Sequence, residues 1–109
     1  MTPENLCEAL AKYAASKGQE LNRDRAFVLD IIAGLLKNEE RYGYRSCPCR
    51  LASGVREHDR DIICPCIYKD PDVSEYGSCF CLLYVSPEWN DGIIERRVVP
   101  ERRPPEMQA

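Results

Sequence analysis

The sequence of 109 residues has almost no histidine, His58 being the only one. That leaves little scope for a histidine-built metal site or for extensive imidazole acid–base chemistry. It also lacks a basic start followed by an apolar run, since MTPENLCEALAKYAAS carries Glu4 and Glu8 in its first turns. A secretory signal is therefore not expected. No stretch approaches the roughly 18 to 20 apolar residues of a membrane span. The best candidate, AFVLDIIAGLL, is short and broken by Asp30. Neither sign of charge dominates: 15 Lys and Arg face 18 Asp and Glu, a formal net charge of −3. This excludes a generally basic nucleic-acid binder. Together these absences predict a cytoplasmic chain with neither membrane nor nucleic acid as partner.

What the sequence has in excess is cysteine, seven in all. In a reducing compartment structural disulfides are disfavoured, and an odd number argues against a fully paired scaffold. Metal binding or redox chemistry is the expected use. The length suits one domain, and a hydrophobic share of 44% gives it a modest core.

The predicted architecture is a mainly α, small single domain of short helices over residues 1–109. It divides into a helical scaffold at 3–42, a cysteine region at 45–85 and an irregular tail at 86–109. Leu6, Leu10, Tyr13 and Ala14 recur at helical spacing and predict a first helix over 3–18, stopped by Gly18. A second is expected from about Asn22, as N-cap, to about Tyr42, with Gly43 as its C-cap. Its apolar stripe is Phe27, Val28, Ile31, Ile32, Leu35 and Leu36. Short helices are expected over Arg50–Glu57 and Asp59–Ile63. Another, capped by Asp70, would run from Pro71 to near Gly77. Leu82–Val85 reads as a short extended run. Cys7, alone on the first helix, reads as a small buried residue, and Tyr84 and Trp89 as packing.

Six cysteines fall into three C-x-C pairs: Cys47-Pro48-Cys49, then 14 residues to Cys64-Pro65-Cys66, then 12 residues to Cys79-Phe80-Cys81. Structural zinc sites favour C-x(2–4)-C, where a tight turn aims both thiolates at one tetrahedral ion. A single intervening residue, proline in two pairs, suits ligands that bind different atoms of a larger object. An iron–sulfur cube is such an object, each iron taking one thiolate. A [4Fe–4S] cluster needs four thiolates, which leaves two as a redox pair for dithiol–disulfide exchange. Spacing alone leaves open which four ligate, and a non-catalytic zinc or electron-carrier module is the alternative.

The words CPCRLASG, DRDIICPC, YGSCFC and VPERRPP, in this order, closely resemble the catalytic chain of ferredoxin–thioredoxin reductase over about residues 5–104. The resemblance implies a [4Fe–4S] cluster on Cys47, Cys64, Cys66 and Cys79 and an active-site disulfide between Cys49 and Cys81. It implies a disulfide reductase fed single electrons by ferredoxin. Cys49 would attack the disulfide of a thioredoxin-like protein, and Cys81 would resolve the mixed disulfide once the second electron arrives. A small non-catalytic subunit is a further partner of family members from phototrophs. Those members carry histidine at the position of Phe80 and differ in both intervals, which points to a non-photosynthetic type here. His58 could supply the missing imidazole, against a plainer reading as a solvated loop residue. Arg45, Arg50, Arg56, Arg60, Arg96, Arg97, Arg102 and Arg103 form either a docking surface for an acidic ferredoxin or ion pairs with Glu57, Asp59, Asp61, Glu95 and Glu101.

Overall fold

Two amphipathic helices supply the scaffold. In the computed structural model, which describes residues 1–108, α1 spans Pro3–Ser16 and α2 spans Arg25–Tyr42. The Thr2 side chain caps α1 by accepting from the Asn5 N–H, and Pro3 suits the first turn, where its missing N–H costs nothing. The helix ends two residues before the predicted Gly18, with Lys17 as C-cap. Leu6, Cys7 and Ala14 of α1 meet Val28, Ile32 and Leu35 of α2 in one buried cluster. Ile31 and Leu36 flank it half-buried, and Phe27 is half-buried near the start of α2. Cys7 is buried as expected, and so are Tyr84 and Trp89.

The start of α2 differs from expectation. Asp24, not Asn22, is its N-cap, and its carboxylate accepts from the Phe27 N–H. Asn22 braces the far end of the chain instead. Its side chain donates to the Leu82 carbonyl at 3.0 Å and its N–H donates to the Leu83 carbonyl at 2.9 Å. This brace lies beside Leu82, whose φ of 63° is left-handed and strained for a leucine. Next to it, β1 (Glu20–Leu21) pairs antiparallel with β2 (Tyr84–Val85), Leu21 opposite Tyr84. Of the predicted extended run Leu82–Val85, only these last two residues form strand, because Leu82 turns the chain.

The middle of the chain is more broken than predicted. The helix expected over Arg50–Glu57 starts only at Arg56, giving α3 (Arg56–Asp59), and a 3-10 turn follows over Arg60–Ile62. The preceding loop stays open because Asp59 collects its donors: both Ser53 groups, the Gly54 N–H and the Tyr44 hydroxyl. Helix α4 runs Lys69–Tyr76 and so begins ahead of the predicted cap Asp70, which instead pairs with the buried Lys69 ammonium at 2.6 Å. Gly77 ends α4 with a φ of 85°; a Cβ there would meet Ile94 at 2.5 Å. The tail is not wholly irregular, since α5 spans Pro87–Asn90 and a 3-10 turn spans Pro105–Met107. No helix among the described residues is long and apolar enough to cross a membrane.

Ion pairs fasten the tail to the body. Arg103, buried, binds Asp61 at 2.8 Å, with Asp59 at 4.0 Å. Arg102 binds the buried Asp72 at 2.7 Å and Glu75 at 2.6 Å. Of the predicted pairings, those of Asp59, Asp61 and Glu101 form, whereas Glu57 and Glu95 make no salt bridge among the described residues. Burial pushes the carboxyls of Asp59 and Asp61 up, yet their hydrogen bonds outweigh it and hold both below the usual range.

Two outcomes follow for stability. Removing one partner of a buried pair leaves the other charge uncompensated, so Asp61→Ala should cost about 3 kcal/mol in urea unfolding. Because the folded pKa of Asp59 and Asp61 is depressed, their contribution is complete above about pH 4 and is lost as pH falls below it. The unfolding midpoint of the unaltered protein should therefore drop with acid there, and that of Asp61→Ala should drop less.

Candidate functional site

Backbone pairing brings the three C-x-C segments together. The Cys47 N–H donates to the Ile62 carbonyl at 2.8 Å and the Cys64 N–H to the Arg45 carbonyl at 2.8 Å, bridging the first segment to the second. The third is folded back on β2: the Cys79 N–H donates to the Tyr84 carbonyl at 2.8 Å, and the Leu82 N–H closes a turn onto the Cys79 carbonyl at 3.0 Å. Helix α2 admits the first segment closely because Gly34 faces Pro48; a Cβ at Gly34 would lie 3.0 Å from the proline Cβ.

The result is a cavity lined by Cys47, Cys64, Cys66, Cys79 and Cys81, with Ile31, Leu35 and Leu83 as apolar wall. The sulfurs of Cys47, Cys49 and Cys81 all lie within 4.8 Å of one another. Cys49 differs from the rest in being exposed; Cys47, Cys79 and Cys81 are buried, Cys64 and Cys66 half-buried. All are free thiols. The closest trio thus mixes one predicted ligand, Cys47, with the two predicted redox thiols, while the other predicted ligands, Cys64, Cys66 and Cys79, line the same cavity.

Electrostatics separate the thiols. Burial pushes Cys64, Cys66 and Cys79 up, so each keeps its proton until a metal displaces it. Cys49 is shifted the other way, well below the usual thiol range. The Cys47 and Cys81 thiols donate to it, and the nearby Arg50 charge helps. Cys81 is correspondingly raised by donating to Cys47 and Cys49. An exposed sulfur that ionises readily is the nucleophilic member of such a set.

One residue weighed as a docking cation or an ion-pair partner, Arg50, proves central to the site. The Arg50 side chain is 2% exposed and binds Glu101 bidentately, Nη2 to Oε1 and Nε to Oε2, both at 2.8 Å. Its Nη1 reaches Cys66 Sγ at 3.5 Å and Cys47 Sγ at 3.9 Å. The guanidinium carbon stands 4.6 Å from the Phe80 ring centroid and 5.1 Å from that of Tyr68. Burial opposes its charge, but Glu101 and the Cys66 and Cys47 thiols outweigh this and raise its pKa. The signal in the sequence was its place directly after Cys49. A cation beside clustered thiols and an apolar wall fits a polynuclear metal centre of net negative charge.

The remaining predicted residues are placed as follows. Phe80 lines the cavity, half-buried. His58 is exposed and lines a separate groove with Ser53 and Arg103, so it is not among the residues around the thiols. Arg103 and Arg50 are buried and unavailable for docking. Arg96 lies over the Trp89 ring and Arg97 over that of Tyr76. Among the exposed or half-exposed cations near the thiol loops, Arg45 faces Glu39 at 3.7 Å, Arg56 lies over Tyr44, and Arg60 is exposed.

Exposure predicts the order of alkylation. In the reduced protein iodoacetamide should label Cys49 first, read by peptide mass mapping. First labelling at Cys64 or Cys66 would contradict the geometry.

A sequence model described as the ferredoxin thioredoxin reductase catalytic beta chain matches residues 2–103. The catalytic chain of ferredoxin-thioredoxin reductase from Pyropia yezoensis is 30% identical over 92 residues, 79% of this chain and 75% of that one. The chain of the same name from Cyanidium caldarium is 30% identical over 93 residues, 79% of this chain and 78% of its own length. That from Porphyra purpurea is 27% identical over 78 residues, 70% and 63% of the two chains. With a match running almost end to end, this chain belongs to the ferredoxin–thioredoxin reductase catalytic beta-chain family.

Proposed function

We propose that this protein is a disulfide reductase that takes single electrons from a ferredoxin and reduces the disulfide of a thioredoxin-like protein. The observation that carries the reading is one exposed, readily ionised thiol, Cys49, within 4.8 Å of the buried Cys81 at a cavity lined by the other four. Cys47, Cys64, Cys66 and Cys79 would hold a [4Fe–4S] cluster; their burial, the apolar wall and the Arg50 cation support that assignment. When bound, the cluster supplies one-electron transfer, which matches a one-electron donor to a two-electron disulfide.

The chain's own residues divide the remaining work. The first electron breaks the Cys49–Cys81 bond, leaving Cys49 as a thiolate and Cys81 one electron short of one. Cys49 then attacks one sulfur of the partner's disulfide. A Cys49–partner bond forms, and the partner's other sulfur leaves as a thiolate and takes a proton. Cys81, reduced by the second electron, attacks Cys49 Sγ, restoring the Cys49–Cys81 disulfide and releasing the second partner thiolate, which is also protonated. Two electrons and two protons are consumed for each partner disulfide, and the enzyme returns to its starting state. Burial of Cys81 beside Cys49 keeps the resolving sulfur within reach and away from other disulfides. The exposed or half-exposed Arg45, Arg56, Arg60, Arg96 and Arg97 are the cations available for steering an acidic electron donor, which would make the rate of encounter salt-dependent.

Anaerobic purification should yield a brown protein with about four irons per chain, as the four ligands require. A colourless protein holding zinc would overturn the reading. In Cys49→Ser the iron content should be unchanged while ferredoxin-driven disulfide reduction is lost. Loss of the iron instead would show that ligands and redox thiols are divided differently.

A further inference from the structure

Donors reach the proposed ligand sulfurs from several sides of the cavity. Arg50 Nη1 faces those of Cys66 and Cys47. The Tyr84 backbone N–H donates to Cys79 Sγ at 3.3 Å. Cys64 stands outside this pattern, for these donors end on the other three sulfurs. The Tyr84 side chain lines the same cavity as Cys64. It is 1% exposed, and its hydroxyl has no hydrogen-bond partner among the described residues.

A buried hydroxyl left unpaired is costly, and its retention calls for a group that satisfies it. The ring is held in place from several sides. Tyr84 is paired with Leu21 in the two-stranded sheet. Its ring meets that of Tyr13 edge-on, centroids 5.7 Å apart, and the buried Lys69 ammonium stands 5.0 Å from its centroid.

Resting on the ligand assignment above, we propose that Tyr84 is a positioning residue of the cluster site: its O–H donates to the Cys64 sulfur once coordination has ionised it. Each of the four ligands then carries a donor. A protonated thiol is a weak acceptor, whereas a thiolate ligand is a strong one, so the bond forms with the metal and not before it. By withdrawing negative charge from the ligand, the donor favours the more negative, reduced form and raises the reduction potential.

The test compares the unaltered protein, Tyr84→Phe and Tyr13→Phe, each reconstituted anaerobically, by iron content and by potentiometric titration followed by electron paramagnetic resonance. Tyr84→Phe keeps the ring and should keep the iron. Its equilibrium constant for one-electron reduction should fall about tenfold, a midpoint about 59 mV more negative. Tyr13→Phe, which alters the packing partner and not the cavity, should leave the midpoint in place. Placing 3-fluorotyrosine at position 84 makes the hydroxyl a stronger donor and should move the midpoint the opposite way.

An unmoved midpoint in Tyr84→Phe, or equal shifts in Tyr84→Phe and Tyr13→Phe, would overturn the role of Tyr84 while leaving the ligand assignment intact. Absence of an iron–sulfur cluster from the unaltered protein would overturn both. Should Tyr84→Phe lose its iron, the fluorinated protein decides: a midpoint moved upward supports the donor, and an unmoved one overturns it.

Discussion

The guanidinium of Arg50 is the point on which the site depends. It meets sulfurs from the first and second C-x-C segments, a ring from the third, and a carboxylate from the tail. Each contact suits arginine for its own reason: the planar fork matches Glu101, the flat faces stack on Tyr68 and Phe80, and the remaining N–H points at sulfur. Lysine could satisfy one of these demands but not all together. Segments far apart in sequence are thereby held against a single buried charge, and that charge has the sign needed beside several thiolates.

Around this centre the molecule sorts its cysteines by environment rather than by residue type. Five of the clustered thiols lie in walls that favour the protonated form or a metal, and one is left at the surface in a setting that favours the anion. Phe80 adds an aromatic face at the position where the resemblance leads one to expect an imidazole in photosynthetic members. The face is used by Arg50, so the substitution exchanges a titratable group for a fixed cation–π contact. A proton-delivering role at that position has no counterpart in the phenyl ring.

Much of this was legible in the sequence, and the reasons are local. Helices α1 and α2 declare themselves through apolar residues at helical spacing, and Gly43 and Gly77 through the left-handed φ that helix ends favour. The three C-x-C pairs announce a site because little else explains thiols at that density. What could not be read depended on distant partners. Asn22 and Asp24 are both good capping residues, and only the position of Leu82, 60 residues on, assigns Asn22 elsewhere. Arg50 and Glu101 are 51 residues apart. Tyr84 reads as packing from its sequence neighbours, and its orphaned hydroxyl is visible only once the cavity is formed around it.

The tail stretch Ile93–Arg103 crosses the molecule without helix or strand. Its hold on the body comes from side chains: Glu101 on Arg50, Arg102 on Asp72 and Arg103 on Asp61. A strand is zipped in by a ladder of backbone bonds that open together, whereas ion pairs of this kind can let go one at a time. The segment is therefore the seam of the molecule. Only Glu101 of this stretch reaches the thiol site, and it does so through Arg50, so the tail's share in shaping that site comes down to one bidentate pair.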